Sequence, residues 1–403
     1  MFQIRTIISR FGVPLLVGLA LYGCEGDSSL LSPVDVSQGR DRAGSPSLEI
    51  LTWNVYVGAS LEDILLAETE TDFLLAVMAA WAEVQATNFE ERAEALADQI
   101  VARAPHLIGL QEVTLFRRQS PGDLALVAAG FIPPEAAQDA EDVELDYLSL
   151  LLDALADRGF VYQVASMSEN MDLEVPLLTG APIPDDMRLT DYDVILVRDD
   201  VDWNPASAAN GNFQAAMPVS VAGTDLVLPR GWASIDFTFK GLPYRFLTTH
   251  LEPADIAPGV VLPELAQLQA FQLAELMGVM DLSPHPVIVA GDFNSAADGS
   301  TTTPYQDMLN AGFVDAWTTG RPLGDGYTSN QAGDLMNPAS TLFHRIDFVF
   351  YRDEHTRAGG NFQGSIHIDR IGEEQIDRTP SGLWPSDHAG LAAELRIAPG
   401  KGH

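Results

Sequence analysis

The chain has 403 residues, with 57 acidic against 22 basic side chains and a formal net charge of −35 at pH 7. Hydrophobic residues make up 46% and charged residues 20%, which excludes intrinsic disorder for most of the chain. The basic residues form no run of five and Cys24 is the single cysteine, so the sequence excludes a polybasic nucleic-acid surface, an internal disulfide and a cysteine-held zinc.

The amino terminus has the pattern of an export signal. Two arginines within the first ten residues precede an apolar stretch at 11–23, which is shorter than the roughly 20 residues needed to span a bilayer. Residues 1–23 are therefore predicted to be a signal peptide. Cys24 follows an aliphatic Leu21 and a small Gly23, a pattern that resembles the bacterial lipobox. We expect lipidation of Cys24 and export to the bacterial envelope, either membrane-anchored or secreted. An ordinary secretory signal with an incidental cysteine is the alternative.

One folded domain is predicted to follow the signal. Residues 24–47 are rich in Ser, Gly, Asp and Pro, which favours a flexible tether after the lipidated cysteine. No similar linker divides residues 48–397, and no period of roughly 20 to 50 residues repeats, so this stretch is predicted to be a single domain and not a solenoid. Two acidic, alanine-rich insertions, at about 57–87 and 117–143, are expected at the mouth of the functional site.

Short β-type runs alternate with amphipathic helices along the predicted domain. β-Branched, aromatic and alternating residues predict strands at 48–54, 107–111, 161–166, 192–198, 234–239, 245–250, 286–290, 345–351 and 391–396. Helices are predicted at 88–103, 145–158 and 262–280, and Asn88 with Glu91 has the spacing of a capping box. Strands and helices mixed in one domain indicate an α/β sandwich.

Six polar signatures lie at the ends of predicted strands. Asp, Glu or Asn at such a position is usually a turn former, so any one signature alone says little about function. The ordered set is specific. Its members are Thr52-Trp53-Asn54-Val55, Gly109-Leu110-Gln111-Glu112-Val113, Thr248-Thr249-His250-Leu251, Gly291-Asp292-Phe293-Asn294-Ser295, Arg345-Ile346-Asp347-Phe348 and Pro385-Ser386-Asp387-His388.

This ordered set resembles the endonuclease/exonuclease/phosphatase superfamily of deoxyribonuclease I-like phosphoesterases, over roughly residues 48–396. The resemblance implies a four-layered α/β sandwich with two central mixed β-sheets flanked by helices, and a divalent-metal site along one edge. It also implies hydrolysis of phosphate esters. In the superfamily, the residue matching Asp292 orients or deprotonates the nucleophile, and the residue matching Asn294 holds a phosphate oxygen.

The residue types support a metal-dependent reaction without the resemblance. Phosphodiester hydrolysis needs a cation to neutralise phosphate oxygens, an activated water, and hydrogen-bond donors for the developing charge. Glu112 follows a buried strand and offers hard carboxylate oxygens, so it is the first-choice ligand for Mg²⁺, or for Mn²⁺ or Ca²⁺. Asn54 and Asp387 are predicted to complete the metal site, directly or through water.

Five further residues are predicted to be catalytic: His250, Asp292, Asn294, Asp347 and His388. Asp292 and Asn294 are two apart after a strand, so in extended geometry both side chains would face one way; an Asx turn is the alternative. His250 and His388 suit proton transfer because imidazole titrates near neutrality. Asp347 lies between apolar neighbours and would be costly to bury alone, so His388 is its predicted partner. The remaining histidines are predicted to be surface or hydrogen-bonded structural residues.

Functions of two classes fit this sequence. The favoured one is an exported, metal-dependent phosphodiesterase, with an endonuclease acting on DNA or RNA as the runner-up. A catalytically silent lipoprotein that serves as a binding module is the rival of another class, and it would be favoured by loss of Glu112, Asp292 or His388, all of which are present. Because basic residues are few, a phosphate-ester substrate and a membrane contacted through the lipid are the expected partners, and extended nucleic acid is less favoured. On the strand at 192–198, Asp193 and Arg198 either reach the substrate or belong to an ordinary strand.

Overall fold

The computed structural model of the chain describes residues 47–128, 139–221, 224–257 and 260–398. The predictions for the signal peptide, Cys24 and the tether up to residue 46 lie outside these residues. The first strand runs from Leu48 to Asn54, as predicted. Among the described helices, none is both long and apolar enough to cross a bilayer.

The described strands, in chain order, are β1 (Leu48–Asn54), β2 (Leu107–Gln119), β3 (Asp142–Asp146), β4 (Tyr162–Leu177), β5 (Asp185–Arg198), β6 (Asp202–Asn212), β7 (Met217–Val221), β8 (Thr224–Leu228), β9 (Gly231–Phe239), β10 (Leu242–His250), β11 (Asp255–Ala257), β12 (Val260–Val261), β13 (Val287–Asp292), β14 (Val314–Asp315), β15 (Asp347–Arg352), β16 (Gly364–Ile371) and β17 (Gly390–Ile397). The described helices are α1 (Glu62–Leu65), α2 (Glu70–Ala86), α3 (Phe89–Arg103), α4 (Leu124–Ala128), α5 (Tyr147–Asp157), α6 (Pro263–Asp281), α7 (Pro304–Asn310), α8 (Ala316–Gly320) and α9 (Glu354–Arg357), with a 3₁₀ turn at Gln375–Asp377.

Two mixed sheets form the centre of the fold. The first has the order β16-β17-β1-β2-β5-β4, with β3 paired to β2, and the second has the order β14-β15-β13-β10-β9-β6. Each sheet contains one parallel pair, β1 with β2 and β10 with β13, among antiparallel neighbours. The strands β7 with β8 and β11 with β12 form two separate hairpins.

Alternation along the strands divides the core into layers. In β1, Leu48 and Ile50 pack between the two sheets, whereas Leu51 and Trp53 face the other side and pack under α2, α3 and α5. The second sheet follows the same rule, because Ile288 of β13 packs between the sheets and its neighbours pack under α6 and α7. The predicted sandwich of two mixed sheets flanked by helices is confirmed.

Several predicted elements differ in extent from the observed ones. The strand predicted at 161–166 continues to Leu177 because its polar second half pairs with β5 along its length. The helix predicted at 145–158 begins at Tyr147, where the Asp146 carboxylate caps it. Asn88 caps α3 as predicted, but no capping box forms, since the Glu91 carboxylate accepts hydrogen bonds from Ser381 instead. The insertion at 57–87 supplies α1 and α2, whose apolar residues pack on the first sheet.

Candidate active site

Asn54 and Glu112 meet where the parallel pair of the first sheet ends. Asn54 pairs with Gln111, and the next residue, Glu112, lies where the pairing of β2 with β5 shifts register. The Asn54 amide donates to Glu112 Oε1 at 2.9 Å and to Asp292 Oδ2 at 3.2 Å, so it joins the two sheets. The other Glu112 oxygen accepts from the Val57 backbone N–H at 2.7 Å. These bonds hold the carboxylate at the edge of the sandwich.

Three non-glycine residues near this edge have left-handed backbone conformations. The φ angles are 64° at Tyr56, 58° at Glu112 and 46° at Asn294. Each such residue costs of order 1–3 kcal/mol and persists only where the surrounding structure enforces it. Such strained residues are concentrated at active sites, and these three surround Asp292 and the Asn54 amide.

The strands of the second sheet bring His250, Asp292 and Asp347 side by side. In the register, His250 lies opposite Asp292, and Asp292 lies opposite Asp347. His250 Nε2 is 3.5 Å from Asp292 Oδ2. All three side chains are buried. Neighbouring strand ends therefore place three polar groups from distant parts of the chain in one row.

Asn294 reaches this row through an Asx turn, which was the alternative expected from the sequence. Strand β13 ends at Asp292, and the Asn294 backbone N–H donates to Asp292 Oδ1 at 2.8 Å, which is an Asx turn. The prediction that both side chains face one way in an extended strand is wrong, because the chain turns back after Asp292. The Asn294 amide nevertheless lies 3.0 Å from His250 Nε2 and donates to the Leu251 carbonyl at 2.9 Å.

The predicted pair of Asp347 and His388 is present. Asp347 Oδ2 lies 2.8 Å from His388 Nδ1, and His388 Nε2 lies 4.0 Å from Asp292 Oδ2. The motif that carries His388 is attached to β1, because Ser386 donates to the Asn54 carbonyl at 2.6 Å and the Trp53 indole donates to the His388 carbonyl at 2.9 Å. Asp347 thus orients the ring while β1 holds its backbone.

The two histidines have opposite charge states. Burial, followed by the nearby Arg230 and His388, keeps the pKa of His250 well below its usual value. Burial also opposes protonation of His388, but Asp347, then Asp387 and Asp292, raise its pKa well above the usual value. At neutral pH, His250 is neutral and His388 carries a proton. Both histidines were predicted to suit proton transfer, but these opposite pKa shifts give them different roles.

Arg230 is the main feature of the site that sequence reasoning missed. Its Nη1 donates to His250 Nδ1 at 3.1 Å, and its Nε donates to the Glu252 carboxylate at 3.3 Å. Because an arginine can only donate, Nδ1 of His250 is the acceptor in this contact. Arg230 belongs to none of the six signatures, and a single arginine before a strand gives no sequence signal.

The predicted metal ligands fit a hard divalent cation. Glu112 and Asp387 offer carboxylate oxygens, and no described arginine or lysine forms an ion pair with Glu112. The Asn54 amide oxygen accepts from the Tyr56 backbone N–H at 3.0 Å while its nitrogen faces Glu112, so Asn54 is placed to contribute through water, the second of its two expected roles. Burial raises the pKa of Asp387 to about 6, and the Glu112 charge raises it against the opposing effect of His388. The Glu112 and Asp387 charges repel each other, and a bound cation would neutralise both. Glu112 and Asp387 are half-buried, so an ion can reach them from solvent.

A second group of possible ligands lies deeper in the site. Ligand atoms of Asp292, Asp347 and His388 all lie within 4.8 Å of one another. Asp347 and Nδ1 of His388 already bind each other, and His388 is protonated, so this group fits a cation less well than the half-buried one around Glu112.

The structure does not bring Arg198 to the site. It is the last residue of β5, where its guanidinium binds Asp200 and the Ala104 carbonyl. Asp193 is fully buried and does not reach the surface. Among the other histidines, His106 accepts from the Glu49 backbone N–H at 3.0 Å, and burial lowers its pKa to about 4.

A known protein family matches this chain over most of its length. The sequence matches the family model described as "Endonuclease/Exonuclease/phosphatase family" over residues 51–388. Among proteins with curated annotation, none matches it significantly. A humanised TDP2 from D. rerio is 17% identical with a TM-score of 0.48, covering 87% of this chain and 99% of that chain. A family protein from Leptotrichia buccalis has the same identity and TM-score, covering 87% and 100%. A mannosyl-6-phosphatase from Bacteroides thetaiotaomicron is 17% identical with a TM-score of 0.45, again covering 87% and 100%.

Proposed function

The chain belongs to the endonuclease/exonuclease/phosphatase family, whose members are phosphoesterases that depend on a divalent metal, and from this premise we propose that it is a phosphodiesterase acting outside the cytoplasm. The proposal rests mainly on the two hydrogen bonds that the Asn54 amide donates to Glu112 and Asp292. They connect the proposed metal-binding carboxylate of Glu112, in the first sheet, to the buried carboxylate of Asp292, in the second.

Asp292 is the proposed general base. Its pKa is raised to about 8, first by burial and then by the Asp347 charge. A general base must be ionised to accept a proton from water, so with a pKa of about 8 the active carboxylate form of Asp292 gains population as the pH rises toward and above 8. In this proposal, Oδ2 of Asp292 takes the proton from the attacking water while the Asn54 amide, 3.2 Å away, holds the carboxyl in place.

His388 is the proposed donor to the phosphoryl group. Asp347 holds its Nδ1, so its protonated Nε2 is directed toward Asp292 and the space beside it. A donor that is already oriented stabilises negative charge on a phosphate oxygen without reorganisation as the transition state forms. Asp347 in this proposal positions the ring and preserves its charge.

Arg230, His250 and Asn294 are proposed to bind the substrate phosphate. The neutral His250 ring lies between Arg230 on one side and the Asn294 amide on the other. A guanidinium has five N–H donors, and two of those of Arg230 are used by His250 and Glu252. The remaining donors are available to phosphate oxygens, which arginine binds in bidentate geometry.

Glu112, Asn54 and Asp387 are proposed to hold the divalent cation. When bound, the cation would neutralise charge on the phosphate oxygens and polarise the ester. Mg²⁺ and Mn²⁺ are the proposed ions, with Ca²⁺ as a further hard-cation option.

A small phosphodiester or a lipid head group is the proposed substrate class. A protein that tracks duplex DNA releases counterions, and its affinity falls with salt with a slope of roughly −0.9 per phosphate contacted. With 22 basic residues against 57 acidic ones, this chain is poorly supplied for such contacts. Recognition of one or two phosphates fits the small group of donors around Arg230.

The test is a screen of purified protein against duplex DNA, RNA, sphingomyelin, inositol phosphates and a small diester. We expect that chelation abolishes activity, that Mg²⁺ or Mn²⁺ restores it, and that Glu112→Gln needs far more metal. Glu394→Gln, on β17 and paired with Arg396, is the control and should behave as wild type. Full turnover in excess chelator would contradict the mechanism.

Salt dependence distinguishes the substrates in the same assay. Cleavage of the small diester should change little between about 20 and about 300 mM salt, because few phosphates are contacted. High activity on DNA at low salt, with a steep fall confined to DNA, would instead establish the endonuclease alternative.

We also propose that the enzyme is exported and anchored to a membrane of the bacterial envelope through a lipid on Cys24. The apolar stretch and the lipobox-like residues before Cys24 support this location. Residues 24–47 would then separate the domain from the membrane surface.

A further inference from the structure

A group of buried polar side chains lies on β4 and β5, apart from the residues proposed to act on substrate. The exposed fractions are 1% for Ser168, 1% for Asn170, 5% for Asp191 and 0% for Asp193. Five of their oxygens have no hydrogen-bond partner among the described residues: Ser168 Oγ, Asn170 Oδ1, Asp191 Oδ1 and both carboxylate oxygens of Asp193. Buried polar atoms in folded proteins nearly always have partners, so five together indicate that something binds here.

The four side chains face one space between the two sheets. In β5, Ile195 and Val197 pack into the core between the sheets, so Asp193 and Asp191 lie on that same face. Ser168 is directly opposite Asp193 in the register and projects to the same side. Its hydroxyl takes up the space that a Cβ on Gly231 of the second sheet would need. The absence of a side chain on Gly231 therefore opens this space.

Asn170 is directed into the same space by an irregularity in β4. The pairing of β4 with β5 shifts register between Glu169 and Met171, which places Asn170 beside Asp191. Its amide nitrogen donates to Asp191 Oδ2 at 3.3 Å, so its carbonyl oxygen remains without a partner. A bulge that re-aims a side chain in this way is a common device beside functional sites.

The charge around this space is strongly negative. Arg230 is the nearby cation. Burial lowers its pKa, but four carboxylates outweigh this effect and raise it: those of Glu252, Asp191, Glu112 and Asp193. Burial, then the Asp191 charge, raises the pKa of Asp193 well above its usual value. One guanidinium cannot neutralise four carboxylates, and its hydrogen bonds go to His250 and Glu252.

We propose that Asp191, Asp193, Asn170 and Ser168 bind a hard divalent cation, Ca²⁺ in first place, at a site separate from the one around Glu112. The donors are two carboxylates, an amide carbonyl and a hydroxyl, an all-oxygen set suited to such an ion. Ca²⁺ accepts irregular geometry and neutral ligands, whereas Mg²⁺ requires near-octahedral geometry and retains several waters. A buried space between two sheets favours the ion that gives up its water more readily.

The site would tie β4 to β5 beside the proposed phosphate-binding residues. Its ligands belong to β4 and β5 of the first sheet, and Gly231 at its floor begins β9 of the second, directly after Arg230. The proposal does not depend on the enzymatic activity, because it rests on the unpartnered oxygens and their charge.

The test measures ion binding instead of turnover. Full-length Glu112→Gln protein, in which the other metal site is weakened, is freed of metal with chelator and titrated with ⁴⁵Ca²⁺ by equilibrium dialysis. We expect one ion per chain. In this background, Asp193→Asn should weaken Ca²⁺ binding by at least ~10- to 100-fold, which is the loss when an outer-shell partner is removed from a metal site. Ca²⁺ should also raise the melting temperature of Glu112→Gln protein and not that of the double variant.

Glu174→Gln is the matched control in the same background. Glu174 is also on β4, is 7% exposed and has one carboxylate oxygen without a described partner, but it lies outside the group. It should leave Ca²⁺ binding unchanged. If Asp193→Asn fails to fold, Asn170→Ala and Ser168→Ala remove neutral ligands and should each weaken binding.

Three results would overturn the proposal. The first is Glu112→Gln protein that binds no Ca²⁺. The second is Asp193→Asn with unchanged binding. The third is a gain in stability from Asp193→Asn that is the same with and without Ca²⁺. This would mean that a proton on Asp193 or a buried water, and not an ion, satisfies these oxygens.

Discussion

Asp347 and His388 illustrate how a single contact can set the charge of a residue in the proposed active site. The Asp347 carboxylate is fully buried, one of its oxygens has no described partner, and the other binds His388 Nδ1 at 2.8 Å. Without that carboxylate, burial alone would favour the neutral imidazole. The pair is therefore a unit, in which one residue gives the other its orientation and its proton.

Non-additive losses are the expected signature of this unit. Asp347→Asn and His388→Gln should each lower kcat/KM by about 100- to 10,000-fold, the range for loss of a general acid or base. The double variant should lose little more, because residues that act as a unit are not additive. Steady-state kinetics on all three variants checks this.

His367→Gln is the control for that series. His367 is on β16 with its side chain 68% exposed, and its Nε2 lies 3.2 Å from the Asp369 carboxylate, so its replacement should not change the kinetics. Multiplicative, independent losses for Asp347→Asn and His388→Gln would show that the two residues act separately.

At the scale of the elements, helix α3 connects the two loops that carry metal ligands. Arg92 of α3 is fully buried and donates to the Val55 carbonyl at 2.6 Å and to the Pro385 carbonyl at 3.2 Å. Val55 follows Asn54 and Pro385 precedes Asp387 by two residues. One guanidinium thus sets the spacing between two proposed ligands that are more than 300 positions apart.

Replacing Arg92 should affect both stability and metal affinity. Arg92→Met leaves buried carbonyls without donors, and we expect a loss of roughly 3–5 kcal/mol in the free energy of unfolding, as when one partner of a buried charged interaction is removed. Urea denaturation measures the loss, and a metal titration of activity should show a higher requirement for Mg²⁺.

Arg103→Met provides the comparison within the same helix. Arg103 is 38% exposed and pairs with Asp369 at 2.7 Å, so its replacement should cost less than about 1 kcal/mol. Equal effects of the two substitutions, or an unchanged metal requirement in Arg92→Met, would contradict the connecting role of Arg92.

Elements with a regular pattern of apolar residues were predicted well from the sequence. Strand β1 and helix α3 have clear apolar patterns and were found with their predicted bounds to within one residue. Strand β6, Asp202–Asn212, was not predicted, because it is an edge strand with mostly exposed residues and contains a proline. An edge strand with no buried face lacks the alternation on which the prediction depends.

At the scale of the whole molecule, the net charge of −35 disfavours binding to a membrane surface, whereas the proposed lipid anchor favours it. A strongly acidic domain is repelled by anionic lipid surfaces, so electrostatics alone would not hold it at a membrane. Any stable association must then come from the lipid on Cys24, and stable anchoring takes more than one acyl chain.

Cys24→Ser should therefore release the protein from the membrane fraction. Fractionation of cells that express the wild type and the variant measures this, with enzymatic activity as the control for folding, since Cys24 lies outside the folded domain proposed to begin at residue 48. Wild-type protein found wholly in the medium would refute the lipoprotein proposal.

The sequence by itself determined the features that arise from local pattern. Alternation of apolar residues predicted most strands of the two sheets, and polar residues at strand ends predicted where His250, Asp292 and Asp347 would lie. The pairing of Asp347 with His388 also followed from the sequence, because an aspartate between apolar neighbours cannot be buried without a partner.

Only the tertiary structure decided which distant residues meet. Asn54 bonds to Asp292 across 238 positions, and Arg230 lies beside His250 through the pairing of adjacent strands. The bulge at Asn170 depends on register, as does the group around Asp193. Local patterns encode the face on which a side chain lies, but its neighbours depend on sheet order and on how two sheets pack, because the contacting residues are far apart in the chain.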